Sequence, residues 1–140
     1  MEIYFLYLKQ YSLLIDAGLV VLIWMVQLII YPSFLYYKKE NLVIWHNKYT
    51  SRIALIVIPL MLYQLVFSLM LIIYQFSLKN SVYTFLVVFL WIYTFTVFVP
   101  LHNKISNSNY TEITLQKLVF NNRVRTFLWS FLLVFRLLLM

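Results

Sequence analysis

The sequence predicts an all-α integral membrane protein, a bundle of four transmembrane helices running up-down-up-down as two duplicated helical hairpins. Two observations carry this. Of the 140 residues, 64% are hydrophobic and 11% charged, against roughly 45–50% and about 25% in soluble domains. The apolar residues also fall into four runs, each near the roughly 20 residues that cross a hydrocarbon core of about 30 Å. Cysteine is absent and glycine occurs once. Disulfide frameworks, thiolate metal sites and glycine-rich phosphate loops are thereby excluded.

The chain reads as one membrane domain, 1–140. Its first helix, about 12–37, has apolar Leu19–Met25 and Leu28–Tyr31 on either side of Gln27. This run is too long for the apolar part of a signal peptide, and no small-x-small cleavage site follows it. The second helix is expected at about 52–76 and the third at about 82–101. The fourth is the weakest span. Its apolar part, from Arg125 onward, gives only about 24 Å of helix, so its start is placed earlier, at about 118.

Between the runs lie two basic loops, 38–51 and 102–124, and a tight turn holding Lys79 and Asn80. Lys38, Lys39, Lys48, Arg52, Lys104, Lys117, Arg123 and Arg125 fall on the side of the basic loops. Lys9, Lys79 and Arg136 fall on the other. The positive-inside rule puts the loops in the cytoplasm and both termini outside, in a bacterial inner membrane. The net charge of +7 then reports topology, with anionic lipid as its counter-charge and no nucleic-acid partner. Tyr31, Tyr36, Tyr37 and Trp45 are expected in an inner interfacial belt, and Tyr4, Tyr7, Tyr11, Tyr74 and Tyr83 in an outer one.

The hairpins echo each other. Trp24, Pro32 and His46-Asn47-Lys48 precede Arg52, while Trp91, Pro100 and His102-Asn103-Lys104 precede Arg123 and Arg125. Duplication would relate them as a parallel repeat, with both histidines near one mouth of the bundle.

Each span also carries polar residues, which in lipid face the bundle interior. Asp16 and Gln27 are three turns apart on the first helix. The second has Tyr63 and Gln64, the third Thr94 and Thr96. On the fourth, Arg125, Trp129 and Arg136 share a stripe. Gln27 and Gln64 are read as interhelical hydrogen bonders or as substrate contacts. Asp16 and Arg136 are read as an ion pair near the outer face or as part of a proton path.

The cytoplasmic mouth is the expected site. Histidine exchanges protons near neutral pH, which makes His102 and His46 the candidate bases. Arg125, Arg52, Asn103 and Asn122 are the groups able to hold a developing anion. Trp129, Trp91 and Tyr63 would pack an aromatic ring. No metal site is expected. The alternative use of His46 and His102 is as a bis-histidine pair for haem or a metal.

Several strings resemble a group of uncharacterised bacterial four-helix membrane proteins. They are Trp24-x-x-Gln27, Tyr31-Pro32, His46 with Thr50-x-Arg52-Ile53, Ile58-Pro59-Leu60-Met61, Trp91, Val99-Pro100-Leu101-His102-Asn103-Lys104, Leu118-Val119, Asn122, Arg125-Thr126 and Leu128-Trp129. More distantly, Pro100-x-His102-Asn103-Lys104 with Asn122-x-x-Arg125 is similar to the small membrane family that includes anthrone oxygenases. The resemblance implies a cofactor-independent enzyme that oxidises a polycyclic aromatic carbon with molecular oxygen, using His102, Asn103, Asn122 and Arg125. Those relatives often have asparagine at the place of His102 and lack a counterpart of His46.

Three function classes remain from the sequence. One is a proton-transfer enzyme or oxygenase acting on a lipid-soluble aromatic or quinone-like molecule. Another is a non-catalytic subunit or partner-binding protein of a larger membrane complex or homo-oligomer. The third is haem or metal binding. A small multidrug exporter is disfavoured because Asp16 lies near the outer end and Gly18 is the lone glycine.

Overall fold

The computed structural model describes residues 2–139, which are helical nearly throughout, with no strand among them. The first helix runs through 2–36. It is α-helical over Glu2–Met25, π-helical over Val26–Ile30, and ends in a 3-10 turn, Phe34–Tyr36. The second is the unbroken Lys39–Tyr74. The third, Leu78–Ser106, again contains a π-helical turn, Thr94–Phe98. Glu112–Leu139 forms the fourth. The first helix packs on the second and fourth, and the third also packs on the second and fourth.

Three of these helices, Ile3–Tyr36, Lys39–Tyr74 and Leu78–Ser106, are long and apolar enough to cross a membrane. The fourth is long enough, its 28 residues spanning about 42 Å. Lys117, Asn121, Asn122, Arg123 and Arg125 make it more polar than the others.

The helices begin earlier than apolarity alone suggests. Most of 38–51, expected as a loop, is the start of the second helix. Leu42, His46 and Tyr49 are buried there while Lys39, Glu40, Asn47 and Lys48 are exposed. This is an amphipathic helix, with buried positions spaced by four and three. A search for continuous apolar runs passes over it. The 36 residues reach about 54 Å, well beyond the hydrocarbon core. Likewise the third helix continues to Ser106 and the fourth starts at Glu112, which leaves five residues of the expected loop 102–124 unwound. The expected end of the fourth helix at Met140 lies outside the described residues.

Two short connections are well tied. Ser77 caps the third helix, its hydroxyl accepting from the Asn80 amide at 3.2 Å, and the Asn80 side chain donates to the carbonyl of Gln75. The third helix ends with Ser108 at φ 58°. There the amide of Asn109 donates to the Lys104 carbonyl (2.9 Å) and that of Ser108 to Ile105 (3.0 Å). This pair of bonds satisfies carbonyls that a helix end leaves free.

The interior is a seam spaced by threes and fours. On the fourth helix Leu115, Leu118, Asn122, Arg125, Trp129 and Leu132 are buried, and on the first Ser12, Asp16, Leu19, Ile23 and Val26. On the second helix the seam is interrupted, since no residue between Tyr49 and Met61 is buried.

A polar knot ties all four helices together. Asp16 on the first accepts from Gln64 of the second (2.7 Å), from Tyr83 of the third (2.9 Å), and from Arg136 of the fourth (2.7 Å). Arg136 also bonds Ser12. The indole of Trp129 donates to the free Gln64 oxygen at 3.2 Å. Asp16 and Arg136 therefore pair, as one sequence reading expects. Tyr83, expected in the outer belt, is instead fully buried in this knot. Its ring lies inside because its hydroxyl has a carboxylate to satisfy.

Candidate functional site

The interruption in the second helix's seam opposes the π-helical turn of the third, and a cavity of about 340 Å³ opens between them. The size suits a small ligand. Ile53, Ala54, Val57, Ile58 and Met61 line it from the second helix, and Trp91, Thr94, Phe95, Phe98 and Val99 from the third. Leu19, Ile23 and Tyr31 of the first helix and Arg125 and Trp129 of the fourth close its back. Ile58, Phe95 and Val99 are exposed on the outer surface of the bundle, so the rim touches the apolar exterior. Asn103 and Ser106 mark the other end, near the close of the third helix.

Proline accompanies the wide turn, although Pro59 sits inside the continuous second helix without one. Pro100 has no amide hydrogen and its ring collides with the carbonyl four residues back. A π-helical turn just before it relaxes that clash. The same arrangement precedes Pro32, since each π segment ends two residues ahead of its proline. The two His-Asn-Lys strings are not equivalent in this respect. His46 lies on the second helix and His102 on the third.

Beside the cavity runs a chain of four side chains. The Ser106 hydroxyl is 3.2 Å from His46 Nδ1, and His46 Nε2 is 2.7 Å from His102 Nδ1. His102 Nε2 in turn is 3.0 Å from the Tyr31 hydroxyl. Each of these side chains lies on the inner face of its helix. Leu42, His46 and Tyr49 form one stripe, and Phe98, His102 and Ser106 follow each other by single turns. Phe34 stacks edge-on against His46, and Tyr31 against His102.

Arg125 completes the site. It is buried, with its guanidinium 4.2 Å above the Phe98 ring and 5.1 Å from Trp129. Aromatic faces stabilise a desolvated cation by about 2 kcal/mol. Among the described residues no carboxylate pairs with it, the one salt bridge being Asp16–Arg136. Its Nε is buried without a partner, as are Trp91 Nε1 and Thr94 Oγ1. All three residues line the cavity. Three residues with unpartnered polar groups, two of them N–H donors, thus line a largely apolar space whose other polar residues include Tyr31, His102, Asn103 and Ser106, in an interior where such groups are normally satisfied.

Of the sequence-predicted residues, the fold brings together His46, His102, Asn103, Arg125, Trp91 and Trp129. The others lie elsewhere. Arg52 is exposed and does not line the cavity, because its position falls on the outward side of the stripe that carries His46 and Tyr49. Asn122 is buried and donates to Gln27 at 3.1 Å, joining the fourth helix to the first, and neither residue lines the cavity. Gln64 belongs to the polar knot. The Tyr63 hydroxyl donates to the Leu8 carbonyl at 2.9 Å, near the start of the first helix and away from the cavity.

Tyr31, like Tyr83, lies elsewhere than the sequence suggests. Expected in the inner belt, it is 3% exposed and bonded to His102. Its position directly before Pro32, just after the wide turn, was the available signal. Ser106 and Tyr49 gave no signal. The histidine spacing also bears on metal or haem binding. Two nitrogens bound to one metal at about 2.1 Å would stand roughly 3.4 Å apart or more. At 2.7 Å, His46 and His102 share a hydrogen bond and cannot clasp a metal as they lie. Comparison with protein-family models, with curated proteins and with solved structures gives no match.

Proposed function

We propose that this chain is a four-span membrane protein, up-down-up-down with both termini outside, that binds a lipid-soluble aromatic carbonyl compound and moves a proton from it. The observation that carries this reading is the buried Arg125. Arg125 lines the cavity beside the Tyr31–His102 pair, and its Nε is buried without a partner. A buried cation without a counter-charge is costly, and an occupant that develops negative charge on oxygen would supply one. The matched wide turns before Pro32 and Pro100 support two duplicated hairpins. The basic ends of the fourth helix and of the two inner connections support a cytoplasmic mouth.

In the reaction, a C–H bond next to the carbonyl is held near Tyr31 and His102. The His102 imidazole takes the proton, directly or through the Tyr31 hydroxyl, and the bonding pair moves onto the carbonyl oxygen. Arg125 stabilises that oxyanion, and the Trp91 indole and Thr94 hydroxyl donate to it or to a second oxygen on the ring. The resemblance to anthrone oxygenases adds a second step. Molecular oxygen bonds to the carbanion carbon and takes its electron pair. The peroxide takes back a proton from His102 or water to become a hydroperoxide, and loss of water with that carbon's remaining hydrogen leaves a new carbonyl. The cavity's rim on the apolar exterior supports entry from the bilayer.

Oxygen uptake by purified protein in lipid nanodiscs, with anthrone as the probe, tests this. His102→Ala and Arg125→Gln are each expected to lower the rate by about 10² or more. Uptake that is absent in the wild type, or unchanged in both variants, overturns the enzyme. A partner-binding subunit would then be the better reading.

A further inference from the structure

We infer that Ser106, His46, His102 and Tyr31 form a one-proton relay behind the cavity wall, by which a proton taken from an occupant reaches the mouth while the occupant still fills the cavity. The inference rests on the reading that the Tyr31–His102 end exchanges a proton with the occupant.

Placement is the first argument. Tyr31, His102 and Ser106 all line the cavity, but His46, which joins His102 to Ser106, does not and is 0% exposed. The path between the deep end and the mouth therefore leaves the cavity, passes through a fully buried imidazole, and returns at Ser106. An aromatic occupant would expel water from the direct route. The path through His46 would stay intact.

Proton counting is the second argument. A neutral imidazole carries one N–H and one acceptor nitrogen. The two contacts of each ring are thus satisfied only if all the hydrogen bonds run the same way. In one state Tyr31 donates to His102 Nε2, His102 Nδ1–H to His46 Nε2, and His46 Nδ1–H to Ser106. In the other every bond is reversed, and both histidines carry their proton on Nε2. Passing one proton from Tyr31 to Ser106 turns the first state into the second. The occupant replaces the Tyr31 proton, and the Ser106 hydroxyl proton goes to water. Return of one proton from water at Ser106 along the same bonds, to the peroxide formed on the occupant, restores the first state. No carboxylate touches the chain, and the charged group beside it is Arg125. A relay of neutral rings carries no standing charge.

The arrangement makes a specific demand, that the two histidines hold the same tautomer. Solid-state NMR on ¹⁵N-histidine-labelled protein in lipid nanodiscs reads this without any substrate. Both rings protonated on Nδ1, both on Nε2, or a mixture of those two states is expected. Opposed tautomers overturn the relay.

The second arm uses menadione, a naphthoquinone, to fill the cavity, with Trp91 and Trp129 fluorescence reporting its binding. Deuterium exchange at the His102 ring N–H should continue in the filled wild type. It should slow by about tenfold in Ser106→Ala, where one hydrogen bond is lost, and recover in Ser106→Thr. Full protection of His102 by menadione in the wild type would show that water reached it through the cavity, and would overturn the relay. Failure of menadione to alter the fluorescence counts against the cavity as a quinone-like site, and the tautomer result then decides the relay alone.

Discussion

Among the described residues two charged side chains are buried, Asp16 and Arg125, and they are treated in opposite ways. Asp16 is saturated by Gln64, Tyr83 and Arg136, whereas Arg125 has aromatic faces and an idle Nε. Removing them should have opposite consequences. Asp16→Asn leaves Arg136 without a counter-ion and should destabilise by about 3 kcal/mol, lowering the unfolding midpoint in detergent by roughly 6–12 °C. Arg125→Met replaces an unpaired cation with an apolar group of similar length. It should leave that midpoint unchanged or higher while abolishing binding of the menadione probe. Equal destabilisation in both would mean that Arg125 is a structural group. The polar residues of the spans were legible as inward-facing, because only the interior can satisfy them. Which of them meet was not legible. Gln64 and Tyr63 are neighbours in the chain, yet they meet opposite fates, because successive residues on a helix point about 100° apart.

At the level of the helices, the wide turn before Pro100 is the feature that makes the site. It supplies Thr94, Phe95 and Phe98 to the cavity wall. Pro100→Ala removes the ring clash and permits an ordinary α-helical ladder. The expected outcome is a smaller cavity: weaker menadione binding by about tenfold, roughly 1.4 kcal/mol, with thermal stability unchanged or raised. Unchanged binding would show that the turn is set by something other than the proline. The prolines were visible in the sequence, but their effect was not. A proline in an apolar run signals a kink without saying whether the helix bends, breaks or widens. The amphipathic start of the second helix was missed for a related reason. Long apolar runs identify the part of a helix that lies in lipid, and the part that protrudes obeys the spacing rule of soluble helices.

Considered whole, the bundle turns large apolar side chains outward on every helix, among them Val21, Leu55, Ile73, Phe85 and Phe127. Such a surface suits lipid and is incompatible with a water-soluble monomer. Of the basic residues expected on loops, Lys38, Lys39 and Lys104 lie at connections or helix ends, while Lys48, Arg52, Lys117, Arg123 and Arg125 lie inside the second and fourth helices. The absence of cysteine makes the topology directly measurable. Single cysteines placed at Asn107 and at Lys79 should be labelled by an impermeant maleimide from opposite sides of the membrane, with Asn107→Cys reached from the cytoplasm. Labelling of both from one side would overturn the up-down-up-down arrangement. Helix number and seams could be read from the chain because they follow from periodicity. The cavity could not, because it exists where periodicity fails, between Tyr49 and Met61.

Trp129 holds the bundle and the cavity with one side chain. Its indole nitrogen is fastened to Gln64, and through it to Asp16 and all four helices, while its ring lies beside Arg125 in the cavity wall. An occupant that presses on this ring therefore also acts on the fastening. By thermodynamic linkage, the free energy by which an occupant tightens or loosens the knot equals that by which the knot's state alters affinity in the cavity.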